Sequence, residues 1–388
     1  MIIGVPKEIL PKEHRVAALP ETVREYVKMG FNVLVESSLA EGISRPNAEY
    51  EDAGARIIES PEALFARSDI ILKVKQPCFN QTVGKHEAEM IREGAILITF
   101  LHPAAPSNHE MIRTLCDRNV TSFTMDGVPR IPRAQKMDAL TSMSTVTGYK
   151  SVLIAADRFP KLIPMIGTAI GTTKPARFLI VGAGVVGLQA IATARRLGAM
   201  VKAVDIREEA RQEAGSLKAK VVGFEVPPEQ ATREGGYAKA LPPELLERER
   251  QTIRPLVEES DILILSALVP GEVAPVLVTE PMVKSMKPGS VIVDVAVDQG
   301  GNCAVTEPSR EIVKHGVCVC GLANIPGSVP VHASWLYSNN VFHYVENLFK
   351  NGVDVPDMDD EIVRHTLVTF QTKIIHAGTL KAMAQPGR

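Results

Sequence analysis

Arg177-Phe-Leu-Ile-Val-Gly182-Ala-Gly184-Val-Val-Gly187-Leu-Gln-Ala190 is the stretch whose reading decides the fold. Phe178–Val181 is a short apolar run of the kind that forms a strand buried on both faces. Three glycines follow at GxGxxG spacing, and Leu188–Leu197 reads as a helix. The spacing alone is common. A strand before it and a helix after it are what dinucleotide binding physically requires. Gly182 permits the tight turn, Gly184 lets the backbone approach a pyrophosphate, and Gly187 lets helix and strand pack closely. The helix N-terminus, with Val185 and Val186 in the turn leading into it, offers free N–H groups to phosphate.

The next strand, Val201–Val204, ends at Asp205, 23 residues after Gly182. A carboxylate there accepts hydrogen bonds from the adenosine ribose hydroxyls and repels a 2′-phosphate, which favours NAD(H) over NADP(H). Ile206 accompanies it, and Arg207 works against that discrimination. Glycines that merely end a strand leave this acid in register without a reason. Ala267 and Gly271, in Ala267-Leu-Val-Pro-Gly271, follow another strand on the same side and are read as bordering the nicotinamide half.

Further strands are read at Ile262–Leu265, Val291–Val295 and Val317–Cys320, with the charged, strand-poor stretch Glu225–Arg254 interrupting the set. Upstream, Met1–Val5, Asn32–Glu36, Ile70–Val74 and Ala95–Phe100 read as strands, and Glu21–Met29 as a helix closed by Gly30. A loop covers Pro129–Thr141, a helix runs from about Met143 to Phe159, and Pro164–Pro175 reads as a crossover. From Asn324 the strand–helix alternation is expected to stop, and Val329–Asn351 reads as a long helix. Its Trp335, Tyr337, Phe342 and Tyr344 either pack on the first domain or lie at a subunit interface. The expected class is α/β, with two doubly wound Rossmann-like domains. The first is discontinuous, 1–138 with 329–388; the second, 139–328, binds the dinucleotide.

A chain of 388 residues exceeds what one core usually organises. Hydrophobic residues at 45% and charged residues at 23% suit a globular protein, and a net charge of −2 gives no electrostatic case for nucleic acid. The five cysteines contain no CxxC pair. Cys318-Val-Cys320 puts two thiols on one strand face and reads as core, and without a second Cys/His cluster nearby no metal site is expected. A reducing, cytoplasmic setting fits. The start, Met1-Ile-Ile-Gly-Val-Pro6, lacks a signal-peptide pattern, and no apolar run approaches the ~20 residues that span a bilayer.

Three further segments carry a resemblance: Pro129-Arg130-Ile-Pro-Arg133-Ala-Gln135-Lys-Met-Asp138-Ala-Leu-Thr141-Ser142, Gly235-Gly236-Tyr237-Ala-Lys239 and Asp360-Glu-Ile-Val-Arg364. Nearly end to end, the chain resembles the alanine dehydrogenase and transhydrogenase superfamily. Within it the chain is more similar to the NAD(H)-binding alpha subunits of proton-translocating NAD(P) transhydrogenases. The resemblance implies that Arg130, Gln135, Asp138 and Thr141 contact the nicotinamide end, and that Tyr237 belongs to a loop closing over bound nucleotide. Read alone, the first segment is a solvated basic loop, although its Arg130, Gln135 and Asp138 could also bond a nucleotide, and the second is a mobile surface loop. The resemblance further implies a homodimer, NADP(H) held only by a partner subunit, and attachment through membrane subunits to the cytoplasmic face of the inner membrane.

Five other positions match alanine dehydrogenases instead. Arg15 and Lys75 would hold a carboxylate and a keto oxygen, His102 in Phe100-Leu-His102-Pro would be the acid/base, and Asp298 and Asn324 complete the set. Alone, His102 reads as a strand-end cap, Lys75 as a surface cation and Arg15 as an ordinary interface residue. Two alternatives to transhydrogenation follow: NAD-dependent reductive amination of pyruvate, and a non-catalytic NAD(H) sensor.

Overall fold

The computed structural model describes residues 1–223, 226–233, 237–269 and 273–384, apart from the side chains of Arg233 and Tyr237. The chain forms two compact units, Met1–Met143 with Gly327–Arg388, and Ser144–Pro326.

The first unit opens with β1 (Ile2–Val5), α1 (Pro20–Lys28), β2 (Asn32–Glu36), β3 (Arg56–Ile58), β4 (Ile70–Lys75), β5 (Ile96–Phe100) and β6 (Thr121–Thr124). These strands run parallel, and β4 and β5 are buried almost throughout. Burial on both faces extends even to Lys73, which is fully inaccessible. Its ammonium lies 3.1 Å from Glu87 and 3.5 Å from Glu8. Burial opposes that charge, but the two carboxylates outweigh it and hold Lys73 protonated, its pKa raised.

α2 (Ala139–Arg158) follows, and the second unit continues through β7 (Arg177–Val181), α3 (Val185–Arg196), β8 (Met200–Val204), β9 (Lys220–Val221), α4 (Pro243–Glu259), β10 (Ile262–Leu265), β11 (Val291–Asp294), β12 (Arg310–Lys314) and β13 (Val317–Gly321). The sheet order is β9-β8-β7-β10-β11-β13-β12. All pairings are parallel except β12 with β13, which closes the edge as an antiparallel strand. β7 sits between β8 and β10, so the strand order reverses at its carboxyl end, where ligands bind in open α/β sheets.

α5 (Pro330–Leu348), β14 (Leu367–Phe370) and β15 (Lys373–Ile374) return to the first unit. The expectation that strand–helix structure stops after Asn324 is therefore corrected. β14 pairs antiparallel with β6, completing the order β15-β14-β6-β5-β4-β1-β2-β3. Four residues carry too little periodicity to announce a strand, and pairing with β6 makes it one. The aromatic face of α5 packs within this unit: the Tyr337 hydroxyl donates to the Lys73 carbonyl at 2.7 Å, and Phe342 lies 5.4 Å from Tyr26. Trp335 stays 57% exposed.

Candidate functional site

The carboxyl ends of β7, β8 and β10 build the first cluster. Gly182 takes φ +90°, a left-handed conformation that favours glycine. A Cβ there would fall 2.8 Å from the Ser266 carbonyl and the Ala267 nitrogen, so the tips of β7 and β10 touch. A Cβ on Gly187 would lie 1.9 Å from the Gly182 carbonyl oxygen. Gly184 differs. Its φ is −74°, which any residue adopts, and a Cβ there would meet only the Arg207 guanidinium, at 3.7 Å. Gly184 thus answers no demand of the fold; it leaves space above the turn, which is the cradle a pyrophosphate needs.

α3 begins at Val185, three residues ahead of the sequence reading. Its first internal hydrogen bond runs from Leu188 N to Gly184 O, at 2.8 Å. The N–H groups of Val185, Val186 and Gly187 therefore have no partner within the helix and face the turn. β-branched valines disguised this start, because their helix propensity is low.

Asp205 follows β8 and is nearly buried. One carboxylate oxygen accepts from Ala183 N at 2.7 Å and Arg207 Nη2 at 2.7 Å; the other accepts from Arg207 N at 2.8 Å and Nε at 3.0 Å. The expected ribose acceptor is thus held as the partner of Arg207, and its charge is answered within the chain. Ile206 is half-buried, and its carbonyl accepts from Arg211 at 3.1 Å. Glu249, buried on α4, is pushed up to about 7 by burial and by the charge of Asp205.

Two residues here escaped the sequence reading. Asn302, fully buried, accepts from Ala267 N at 2.9 Å and donates to the Ala267 carbonyl at 2.8 Å and the Pro275 carbonyl at 2.9 Å. Asp294, at the end of β11, accepts in turn from the backbone N–H of Ala296, Asn302 and Cys303. Together they fix the Ala267 segment. An acid closing an apolar strand, followed by Gly300-Gly301-Asn302, was the available signal. Gly271, Gly235 and Gly236 lie outside the described residues, as does the side chain of Tyr237. Its backbone pairs Arg233 in a short antiparallel ladder, so the Glu225–Arg254 stretch does carry strand structure. In the same unit, Asp298 is exposed on a 3₁₀ turn, and Asn324 takes φ +53°.

The first unit holds the remaining residues. Pro132–Met137 forms a 3₁₀ segment that leaves Gln135 exposed. Arg133 donates to Asp360 at 2.6 Å, and Asn340 donates to the Lys136 carbonyl at 2.8 Å, so the segment is pinned against α5. Asp138 precedes α2 and accepts from Thr141 N at 2.8 Å and Oγ1 at 2.6 Å, acting as its N-cap. Arg130 is exposed.

Lys75 and His102 stand at the carboxyl ends of β4 and β5. His102 adopts φ +44°, stacks on Phe100, and places Nδ1 2.9 Å from Asp126. Burial would raise the Asp126 carboxyl, but its contacts with His102 and Thr124 hold it below its usual range. Arg15 is buried, and its Nε donates to Glu13 at 2.8 Å while Nη2 lies 2.5 Å from the same carboxylate. The guanidinium fork assigned to a substrate carboxylate already grips one from this chain.

Residues 4–147 match the family described as "Alanine dehydrogenase/PNT, N-terminal domain", and residues 151–377 match "Alanine dehydrogenase/PNT, C-terminal domain". The chain belongs to the alanine dehydrogenase/PNT family. Within that family it is 40% identical over 379 residues to the first of the separately named segments of NAD(P) transhydrogenase subunit alpha from Rhodospirillum rubrum, covering 97% of this chain and 98% of that one. It is 34% identical over 380 residues to alanine dehydrogenase of Bacillus subtilis, covering 95% and 91%. The transhydrogenase structure from Sinorhizobium meliloti superposes with a TM-score of 0.84 at 37% identity, covering 96% of this chain and all of that one. An L-alanine dehydrogenase structure also superposes, with a TM-score of 0.82 at 29% identity, covering 99% of each chain.

Proposed function

We propose that this chain is the NAD(H)-binding alpha subunit of a proton-translocating NAD(P) transhydrogenase, passing hydride between its own nucleotide and NADP(H) on a partner subunit. The Gly182–Gly187 turn carries the reading: space over Gly184, unpaired N–H groups at the start of α3, and an acid at the end of β8. The sequence contains one such fingerprint, so it accounts for one dinucleotide. Bound there, NADH supplies a hydride from its nicotinamide ring. The α3 N-terminus and Gly184 hold the pyrophosphate, and Asp205 meets the ribose once Arg207 yields its contacts. To the nicotinamide end the reading assigns Ala267 and Gly271, together with Arg130, Gln135, Asp138 and Thr141. Tyr237 belongs to a closing loop. Catalysis is positional, because hydride passes between two carbons and no proton is exchanged.

The partners in this reading are a membrane subunit and an NADP-binding subunit, which place the chain on the cytoplasmic face of the inner membrane. Among the described residues, no helix is long and apolar enough to cross a membrane. A homodimer is included in the same reading, and exposed Trp335 on α5 suits an interface.

The His102–Asp126 pair favours a second reading, alanine dehydrogenation, because it resembles an oriented acid/base. Arg15 counts against it: a keto acid would have to displace the fully buried Glu13 carboxylate from its fork. The test is direct. The isolated chain binds NADH by calorimetry but does not oxidise it with pyruvate and ammonium, and turnover appears when the NADP-binding partner subunit is added. NADH oxidation by the isolated chain with pyruvate and ammonium would replace the first reading by the second.

A further inference from the structure

The antiparallel edge of the second sheet brings together three side chains that the nucleotide site does not use. Cys318 and Cys320 are two residues apart on β13, so both point to one face. Glu311 on β12 is the registered partner of Cys320, which turns its carboxylate to that same face. The two sulfurs lie 3.7 Å apart, and Cys320 Sγ lies 3.6 Å from Glu311 Oε2. Among the described residues this is the one group of three such ligand atoms, all within 4.8 Å of one another.

These distances match a tetrahedral ion. Metal–sulfur bonds of about 2.3 Å at the tetrahedral angle separate two sulfurs by about 3.8 Å. A metal–oxygen bond of about 2.1 Å places oxygen about 3.6 Å from sulfur. Glu311 is further oriented by Arg158, whose Nε donates to Oε2 at 2.9 Å, the support that ligating carboxylates usually receive. Arg158, which also pairs with Asp157 at 2.6 Å, and a divalent ion together offset most of the charge of two thiolates and a carboxylate. Cys318 is half-buried and Glu311 is exposed, leaving an approach from solvent. We propose that Cys318, Cys320 and Glu311 form a three-ligand site for a soft divalent cation of the zinc(II) class, with Arg158 as its positioning residue.

A metal binds thiolates, so loading two thiols breaks two S–H bonds, forms two metal–sulfur bonds and releases two protons to solvent. The ion fastens the edge strand β12 to β13. In sequence the pair reads as core, because no second Cys/His cluster lies nearby and Glu311 joins it only through strand register.

Cadmium chloride is the probe, added to the full chain under a non-thiol reductant. The ultraviolet thiolate-to-cadmium absorption should saturate at one ion per chain, with two protons released. Zinc chloride should displace it. Cys318→Ser and Cys320→Ser should each abolish the saturating step, Glu311→Gln should weaken it at least about 10-fold, and Arg158→Gln by about 10–100-fold. The triple variant Cys78→Ser, Cys116→Ser, Cys303→Ser should retain it. NADH affinity, read on every variant, reports that the second unit is folded. Absorption that persists in Cys318→Ser and Cys320→Ser overturns the site, as does failure of the wild type to saturate at one ion.

Discussion

Gly184 and Gly187 stand three residues apart in one turn, and alanine at each should fail in a different way. At Gly187 the new methyl would sit 1.9 Å from the Gly182 carbonyl oxygen, an atom of the backbone that cannot swing aside. An ordinary carbon–oxygen contact needs about 3.3 Å, so the start of α3 and the β7 turn must part by about 1.4 Å. Overpacking of this kind costs about 3 kcal/mol. Gly187→Ala should therefore lower the unfolding midpoint and weaken NADH binding together. At Gly184 the nearest atom to the new methyl is 3.7 Å away and φ is −74°, so the fold accepts it, at about 1 kcal/mol or less for the changed cap. The methyl instead fills the space left for pyrophosphate. Losing one charge-assisted hydrogen bond there costs about 1.5–3 kcal/mol, or roughly 10–100-fold in Kd. Thermal unfolding and calorimetric NADH titration, run on both variants, separate the two effects. If Gly184→Ala binds NADH as tightly as wild type, the turn is not a pyrophosphate cradle and the reasoning fails.

Three further outcomes follow from the charges described. Arg207→Met bares the Asp205 carboxylate, so discrimination against NADPH should rise several-fold, while Asp205→Asn should lower it; competitive titration with NADH and NADPH reads both. Glu249 holds its proton up to about pH 7 in the folded chain but releases it near its ordinary, lower pKa when unfolded. The folded state binds the extra proton across that window, so stability falls as pH rises through it, by up to about 3 kcal/mol. Glu249→Gln should flatten this decline, measured as urea midpoints at pH 5 and pH 8. Asp360 is held well below its ordinary range; burial opposes this, but Arg133, Lys350 and Asn347 prevail. Its stabilisation is present above the ordinary carboxylate pKa and lost as pH falls through the lowered folded value, and Asp360→Asn should cost about 1–3 kcal/mol at neutral pH by thermal melting.

The parallel strands were legible because burial on both faces demands runs such as Ile262–Leu265, and chain order plus right-handed crossover leaves few ways to arrange them. The glycine turn was legible because Gly182 and Gly187 each answer a separate steric demand, while Gly184 keeps the spacing between them. What stayed hidden was set by partners distant in sequence. β14 is a strand because Ser122 and Phe123 pair with it on one side and β15 on the other. Lys73 is buried in β4 because Glu8 and Glu87 neutralise it. Asp205 was correctly placed at the end of β8, yet its occupation by Arg207 depends on a side-chain rotamer that spacing does not encode. Asn302 reaches Ala267 across 35 residues, and Glu311 reaches Cys320 only through strand register.

Deuterium transfer tests the central claim most directly. NADH carrying deuterium at the transferred position, supplied to this chain together with its NADP-binding partner subunit and NADP⁺, should yield deuterated NADPH without exchange into solvent. The rate should fall sharply in Gln135→Asn and remain near wild type in His102→Ala, since no proton joins the transfer. Reduction of NAD⁺ by alanine with the isolated chain, abolished by His102→Ala, would contradict the account.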